Sequence, residues 1–220
     1  MLMQPPKLVI FDWDGTLMDS VGQIVESLLA AAAQYEIDLS ASAAANIIGL
    51  GLPEAMAMLF PQHPHLHNDI QAAYAAHYVP RSQQTRLFDG VEPLLQQLRQ
   101  QGVLLAVATG KSRAGLDRVL ADSGIADYFS VTRCASETRS KPHPQMLQEI
   151  LAVTGIAAAD AVMVGDTSYD LEMAQRIAMP RIGVSYGVHS VDKLNRYQPV
   201  AVVDQVLKLG EILQYHPIQQ

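Results

Sequence analysis

Basic side chains are missing from a long stretch of this 220-residue chain: between Lys7 and Arg81 there is no lysine or arginine. Cysteine is nearly absent as well. With Cys134 alone, no internal disulfide can form and nothing calls for an oxidising compartment, so a reducing cytoplasm is the expected location. No apolar run approaches the ~18–20 residues that span a bilayer, and Leu8 to Phe11 is too short for the apolar part of a signal peptide. Neither a membrane nor a targeting segment is therefore expected. Charged residues are also scarce, at 17% against a usual ~25%. What the chain has instead is 49% hydrophobic residues and no low-complexity tract, enough for a sizeable core in one full α/β domain or two small ones. The net charge of −7 argues against nucleic acid as a partner, since a basic stripe would be needed. Asp19, Glu26, Glu36, Asp38, Glu54 and Asp69 stand unopposed in the stretch without basic residues.

Short apolar runs recur at Leu8 to Phe11, Val103 to Ala108, Val162 to Val164, Ile182 to Val184 and Val200 to Val203. Each has the length of a strand buried on both faces. Helical patterns separate them at Val91 to Gln101, Ser112 to Asp122, Pro144 to Val153 and Tyr169 to Ile177. Strands alternating with helices imply parallel βαβ units in an open, doubly wound sheet, which binds ligands beyond the carboxyl ends of its strands. The alternation fails between residues 18 and about 83. There alanine-rich segments such as Ser27 to Ala33 and Ala41 to Ala45 read as an all-helical insertion, interrupted at Gly49 to Pro53 and Phe60 to Pro64. The chain is expected to return to the sheet near Leu87 to Gly90.

Chemistry concentrates at the strand ends. Phe11-Asp12-Trp13-Asp14-Gly15-Thr16-Leu17 ends a buried strand in two carboxylates at i and i+2, on one side of the chain. Two like charges so close need a cation or a shared proton. A turn with an N-cap would account for one aspartate more comfortably than for two. Val164-Gly165-Asp166-Thr167-Ser168-Tyr169-Asp170 ends a later strand in a second pair. Asp170, one helical turn beyond Asp166, can face the same point or serve as an ordinary first-turn acid. Grouped carboxylate oxygens suit Mg²⁺. Ala108-Thr109-Gly110-Lys111 offers a hydroxyl and backbone N–H groups near a helix start, which is anion-binding chemistry. Ser140-Lys141-Pro142-His143-Pro144 fixes a point charge at a rigid turn.

In the order acidic pair, Thr-Gly, Lys-Pro, acidic pair, these motifs resemble the haloacid dehalogenase-like superfamily, within it the phosphatases with an inserted helical cap, the group that includes phosphoglycolate phosphatase. The resemblance covers essentially the whole chain. It implies a Rossmann-like three-layer core at 1–17 and 84–220 and a helical cap at 18–83. It further implies a Mg²⁺-dependent phosphatase acting on a small phosphate monoester through an aspartyl phosphate. Asp12 would be the nucleophile and Asp14 the general acid and base. Thr109, Gly110 and Lys141 would bind the phosphoryl group. Asp12, the main-chain carbonyl of Asp14, Asp166 and Asp170 would hold the metal. Dehalogenases lack the aspartate corresponding to Asp14, so phosphoryl transfer is indicated. A phosphomutase of the β-phosphoglucomutase type is the alternative in chemistry, and a catalytically idle binding protein of the same fold is the alternative in class.

The cap loop Ile48 to Pro53, with Gly49, Leu50 and Gly51, is expected to reach the site. Lacking basic side chains, the cap itself is expected to favour a substrate with few anionic groups beyond its phosphate, although Lys111, Arg113, Arg81 or Arg86 could serve a second anion. Lys111 is the first choice because it adjoins Gly110, the other reading being a solvated lysine at a helix start. Hinges are expected near Leu17-Met18 and Thr85 to Leu87. His63, His65 and His67 in a proline-containing loop read as surface rather than as a metal site. His77 and His189 receive no role. Trp13, Cys134, Met56, Met58, Met173 and Met179 read as packing residues. Oligomeric state is not legible.

Overall fold

The computed structural model describes residues 4–213; the remaining ends of the expected core lie outside the described residues. Six strands form one parallel sheet: β1 (Leu8–Phe11), β2 (Leu104–Thr109), β3 (Val131–Cys134), β4 (Ala161–Gly165), β5 (Arg181–Val184) and β6 (Ala201–Val203), in the spatial order β3-β2-β1-β4-β5-β6. This is the Rossmann-like α/β architecture. Strand β3 is absent from the apolar runs because Thr132 and Arg133 interrupt it, and both are half-buried at the sheet edge.

Helices cover both faces. Helices α5 (Val91–Gln100), α6 (Arg113–Ser123) and α10 (Val206–Leu213) send Leu95, Leu98, Leu116 and Leu209 into one apolar layer. Helices α7 (Gln145–Thr154) and α8 (Ser168–Gln175) send Met146, Ile150 and Met173 into the other. A short helix α9 (Val191–Asn195) follows β5. Between β1 and α5 lie four helices: α1 (Val21–Ala33), α2 (Ala41–Asn46), α3 (Leu52–Leu59) and α4 (His67–Ser82). They bury a separate cluster that includes Ile24, Leu28, Met56, Phe60 and Ile70. Alanine at 31, 32 and 44 is fully buried there, which lets these helices approach closely. Met58 is the exception to the packing assignments. Two residues beyond the inward Met56, it is turned about 200° around α3 and is 55% exposed.

The two crossings between sheet and helical segment run side by side. Met18 bridges Leu87, Asp19 N–H donates to Arg86 C=O at 2.9 Å, and Phe88 N–H donates to Leu17 C=O at 3.0 Å. The order of strands reverses direction at β1, between β2 and β4, the place where such sheets open a crevice. No helix of the described residues is long and apolar enough to cross a membrane.

Candidate active site

In a parallel sheet all strands end on one edge, and register decides which ends meet. Phe11 lies opposite Val107 of β2 and Val164 of β4, so Asp12, Thr109 and Asp166 emerge at the same level. Asp12 N–H donates to Val164 C=O at 2.9 Å, which ties the first acidic loop to the last residues of β4. The chain then turns sharply at Gly15, whose φ is +78°. A side chain at Gly15 would be strained and would run into the Asp166 carboxylate, so the two acidic loops touch only because this residue is glycine.

Asp12, Asp166 and Asp170 are all buried, with one carboxylate oxygen of each within 4.8 Å of the others. Lys141, whose side chain is fully buried, reaches between them, with Nζ 2.7 Å from Asp12 Oδ1 and 2.6 Å from Asp170 Oδ1. Burial alone would depress its ammonium, but Asp12 and Asp170 outweigh that and hold the proton on. Asp170 uses its other oxygen as a helix cap, accepting from Thr167 N–H at 3.1 Å and Thr167 Oγ1 at 2.6 Å. Cap and charge partner are thus both roles of Asp170. Asp166 is held from two sides, by Thr16 Oγ1 at 2.9 Å and Val188 N–H at 2.8 Å. Burial, then Asp170, push its carboxyl up to about 7. Asp12 is raised as well, by burial first, with Lys141 opposing and Asp170 and Asp166 adding.

Asp12 also differs from its neighbours in hydrogen bonding: neither of its buried oxygens receives a well-directed hydrogen bond from the protein. Three carboxylates carry more negative charge than one lysine balances, and Asp12 Oδ2 has no partner among the described residues. This donor set fits a divalent cation that prefers oxygen ligands.

Asp14 faces a second lysine. Its Oδ1 lies 3.0 Å from Lys111 Nζ and accepts from Ser20 Oγ at 2.7 Å. Lys111 is enclosed rather than solvated: its Nζ also donates to Tyr78 Oη at 3.2 Å. Burial depresses its ammonium, and Asp14 and Tyr78 more than reverse that. Thr109 is fully buried at the end of β2, its Oγ1 accepting from Lys111 N–H at 3.2 Å. Gly110 meets the carbonyls of Gly49 and Leu50 so closely that a Cβ would collide with them, and Gly51 N–H donates to Ser140 Oγ at 2.7 Å. The loop singled out at 48–53 therefore closes over the strand ends. Tyr169 Oη donates to Asn46 C=O at 2.9 Å and Lys193 Nζ to Asn46 Oδ1 at 2.7 Å, fixing the same segment from the other side.

Under this roof is a cavity of about 270 Å³, bounded by Asp14, Lys111 and mainly apolar residues from α1, α3 and the 48–53 loop. Tyr74 and Tyr78 stack in its wall with ring centroids 5.4 Å apart. Arg118 also lines it. Ser20, Tyr74, Tyr78 and Arg118 were not singled out by motif. For the tyrosines the signal is spacing, since Tyr74 and Tyr78 are i,i+4 on α4, and Arg118 stands on α6 one turn beyond Ala114 and Gly115.

The other candidates for a second anion are engaged elsewhere. Arg113 pairs with Glu137 and Asp117, Arg81 bonds His77 C=O, and Arg86 bonds Gln83 C=O. The three histidines do not assemble into a metal site; His67 Nε2 is 2.9 Å from Phe60 C=O. His77 bonds Ser27. His189 has a structural part: its Nδ1 accepts from Ser168 N–H at 2.8 Å, which requires the neutral ring, and burial, then Lys193, bring it down to about 4. Trp13 is fully buried against Phe129, away from the carboxylates, and Cys134 is fully buried.

The family model for haloacid dehalogenase-like hydrolases matches residues 9–184. The chain belongs to this family. Among its haloacid dehalogenase-like relatives, a probable phosphatase, IndB, of Dickeya dadantii is 34% identical over 205 residues, covering 90% of this chain and 89% of that protein. A phosphoglycolate phosphatase of Vibrio parahaemolyticus is 27% identical over 224 residues, covering 97% and 98%. A crystal structure of a predicted phosphatase from Clostridium acetobutylicum superposes with a TM-score of 0.85 at 25% identity, covering 96% and 99%. The chain is thus a haloacid dehalogenase-like hydrolase whose named relatives include phosphatases; a tyrosine-protein kinase, PtkA, of Mycobacterium tuberculosis is also 33% identical over 213 residues, covering 90% of this chain and 69% of that protein.

Proposed function

We propose that this protein hydrolyses a small phosphate monoester in two steps on Asp12. The observation that carries the reading is Asp12 itself: a buried carboxylate with both oxygens free of well-directed hydrogen bonds, flanked by Lys141, Asp166 and Asp170. A buried carboxylate with Lys141 on one oxygen and no partner on the other is suited to nucleophilic attack. Asp12 forms a bond to phosphorus as the ester oxygen leaves, and Asp14, positioned by Ser20 and Lys111, gives that oxygen a proton. Asp14 then takes a proton from the water that cleaves the aspartyl phosphate, releasing inorganic phosphate and restoring Asp12. Thr109, the Gly110 N–H and Lys141 hold the equatorial phosphoryl oxygens.

Asp12, Asp166 and Asp170, with the Asp14 carbonyl, would hold Mg²⁺, which supplies positive charge that lets a carboxylate approach a phosphate dianion. Residues 18–83 act as a cap that closes over the core on the paired crossings at Leu17-Met18 and Thr85 to Leu87. The cavity of about 270 Å³ suits a small phosphorylated metabolite in the cytoplasm. Hydrolysis of an aryl phosphate, with and without EDTA, tests this. Activity should vanish with chelator and return with Mg²⁺; full turnover by metal-free protein would refute it.

A further inference from the structure

The cavity beside Asp14 contains one cation with no assignment. Among the described residues that bound it, the basic side chains are Lys111 and Arg118. Lys111 is already committed to Asp14 and Tyr78. Arg118 makes no hydrogen bond or ion pair with any described residue, and its Nε is enclosed without an acceptor. An unmatched guanidinium donor within a mainly apolar wall is costly unless something else completes it. No acid of residues 18–80 lines this cavity to balance it; apart from the hydroxyls of Tyr74 and Tyr78, the side chains that segment contributes are apolar.

Helix α6 aims this side chain at the site. Helical side chains lean toward the helix N-terminus, over the residues three and four earlier. For Arg118 those are Gly115 and Ala114, both small and both lining the cavity, and Lys111 lies just before the helix start and lines the same cavity. Arg118 is near enough to Tyr74 to oppose the rise of the tyrosine hydroxyl that burial, Tyr78 and Asp14 produce. Asp14 and Lys111, the Tyr74–Tyr78 stack and Arg118 thus share one mainly apolar cavity, in which Arg118 is the donor without a partner among the described residues.

We infer that Arg118 is a specificity residue that binds a second anionic group, a carboxylate or another phosphate, on the leaving group of the substrate. This rests on the phosphatase reading above and names the substrate class: a small phosphate ester with an apolar body and a remote negative charge. It reverses the expectation drawn from the cap's lack of basic residues, because the second cation comes from the core. A guanidinium is the side chain suited to it, presenting several donors in one plane.

Three substrates of one length test it: n-butyl phosphate, its terminally carboxylated analogue, and butanediol bisphosphate, each followed by release of inorganic phosphate with Mg²⁺ present. Wild-type protein should favour one or both anionic substrates over butyl phosphate by about 10- to 100-fold in kcat/KM, the range of a charge-assisted hydrogen bond. Which one it favours identifies the anion. Arg118→Met should collapse that preference, acting far more on the anionic substrates than on butyl phosphate, and Arg118→Lys should restore part of it. No preference in the wild type, or an equal loss on all three in the variant, would overturn the inference. Release from none of the three would instead overturn the phosphatase reading and the inference with it.

Discussion

The sheet edge and the cavity roof do opposite things with charge. At the edge, Asp12, Asp166 and Asp170 crowd within 4.8 Å of one another beside one lysine, Asp166 and Asp170 held by backbone and hydroxyl groups and Asp12 paired with Lys141. Under the roof, 18–80 offers no cation, and the wall is apolar apart from Asp14, Ser112, two stacked tyrosines and two basic residues of the core. On the proposed function, the difference separates chemistry from selection. Groups that bind a phosphoryl group must be fixed to a fraction of an ångström, so they sit on strand ends and tight turns. Groups that sort substrates need only line a space, and can be supplied by helices that close over it.

Five experiments would break or sharpen that division. Asp12→Asn should cost more than about 10⁴-fold in kcat with the circular dichroism spectrum unchanged; an active variant would remove the edge from the chemistry. Gly110→Ala should push the 48–53 loop off the strand ends, because the added methyl meets the Gly49 and Leu50 carbonyls. A loss of about 10²-fold in kcat/KM is expected from such misplacement, with little change in melting temperature. Normal kinetics would show that closure is unimportant.

Stability should also report on the edge. Asp166 titrates near 7 in the folded chain against 3.8 ordinarily, so the folded state binds the extra proton. The metal-free protein should therefore lose stability as pH rises from about 4 to 7, and Asp166→Asn should flatten that slope. Mg²⁺ competes with the same proton and should raise Tm more at high pH than at low. The opposite slope would mean that these carboxylates are satisfied without metal. Leu28→Ala, in the cluster of the helical segment, should destabilise by about 2–4 kcal/mol, measured by urea denaturation. The smallest effect concerns Cys134: burial pushes its thiol up to about 12, so it should resist alkylation at pH 8 in the native protein.

The edge was legible in the sequence because its residues are local. Asp12 and Asp14, Thr109 and Gly110, and Asp166 and Asp170 each fall in one short motif, and strand periodicity predicts where they emerge. Strand β3 was less visible because Thr132 and Arg133 break its apolar run, and α10 was not read as a helix at all. The partners that complete the site were hidden for another reason. Ser20 meets Asp14 across a turn, Val188 N–H meets Asp166 from a loop after β5, and Tyr78 reaches Lys111 from another part of the chain. No periodicity encodes such meetings. Arg118 belongs to no motif, and it is the face of α6 shared with Ala114 and Gly115 that brings it to the cavity.

The most direct measurement is acid quenching of the Mg²⁺-loaded protein during turnover of a phosphate ester, followed by mass spectrometry of its peptides. A phosphoryl group on the peptide carrying Asp12, absent from Asp12→Asn, is the predicted result. Phosphate found on another residue, or full turnover by Asp12→Asn, would contradict a covalent route through Asp12.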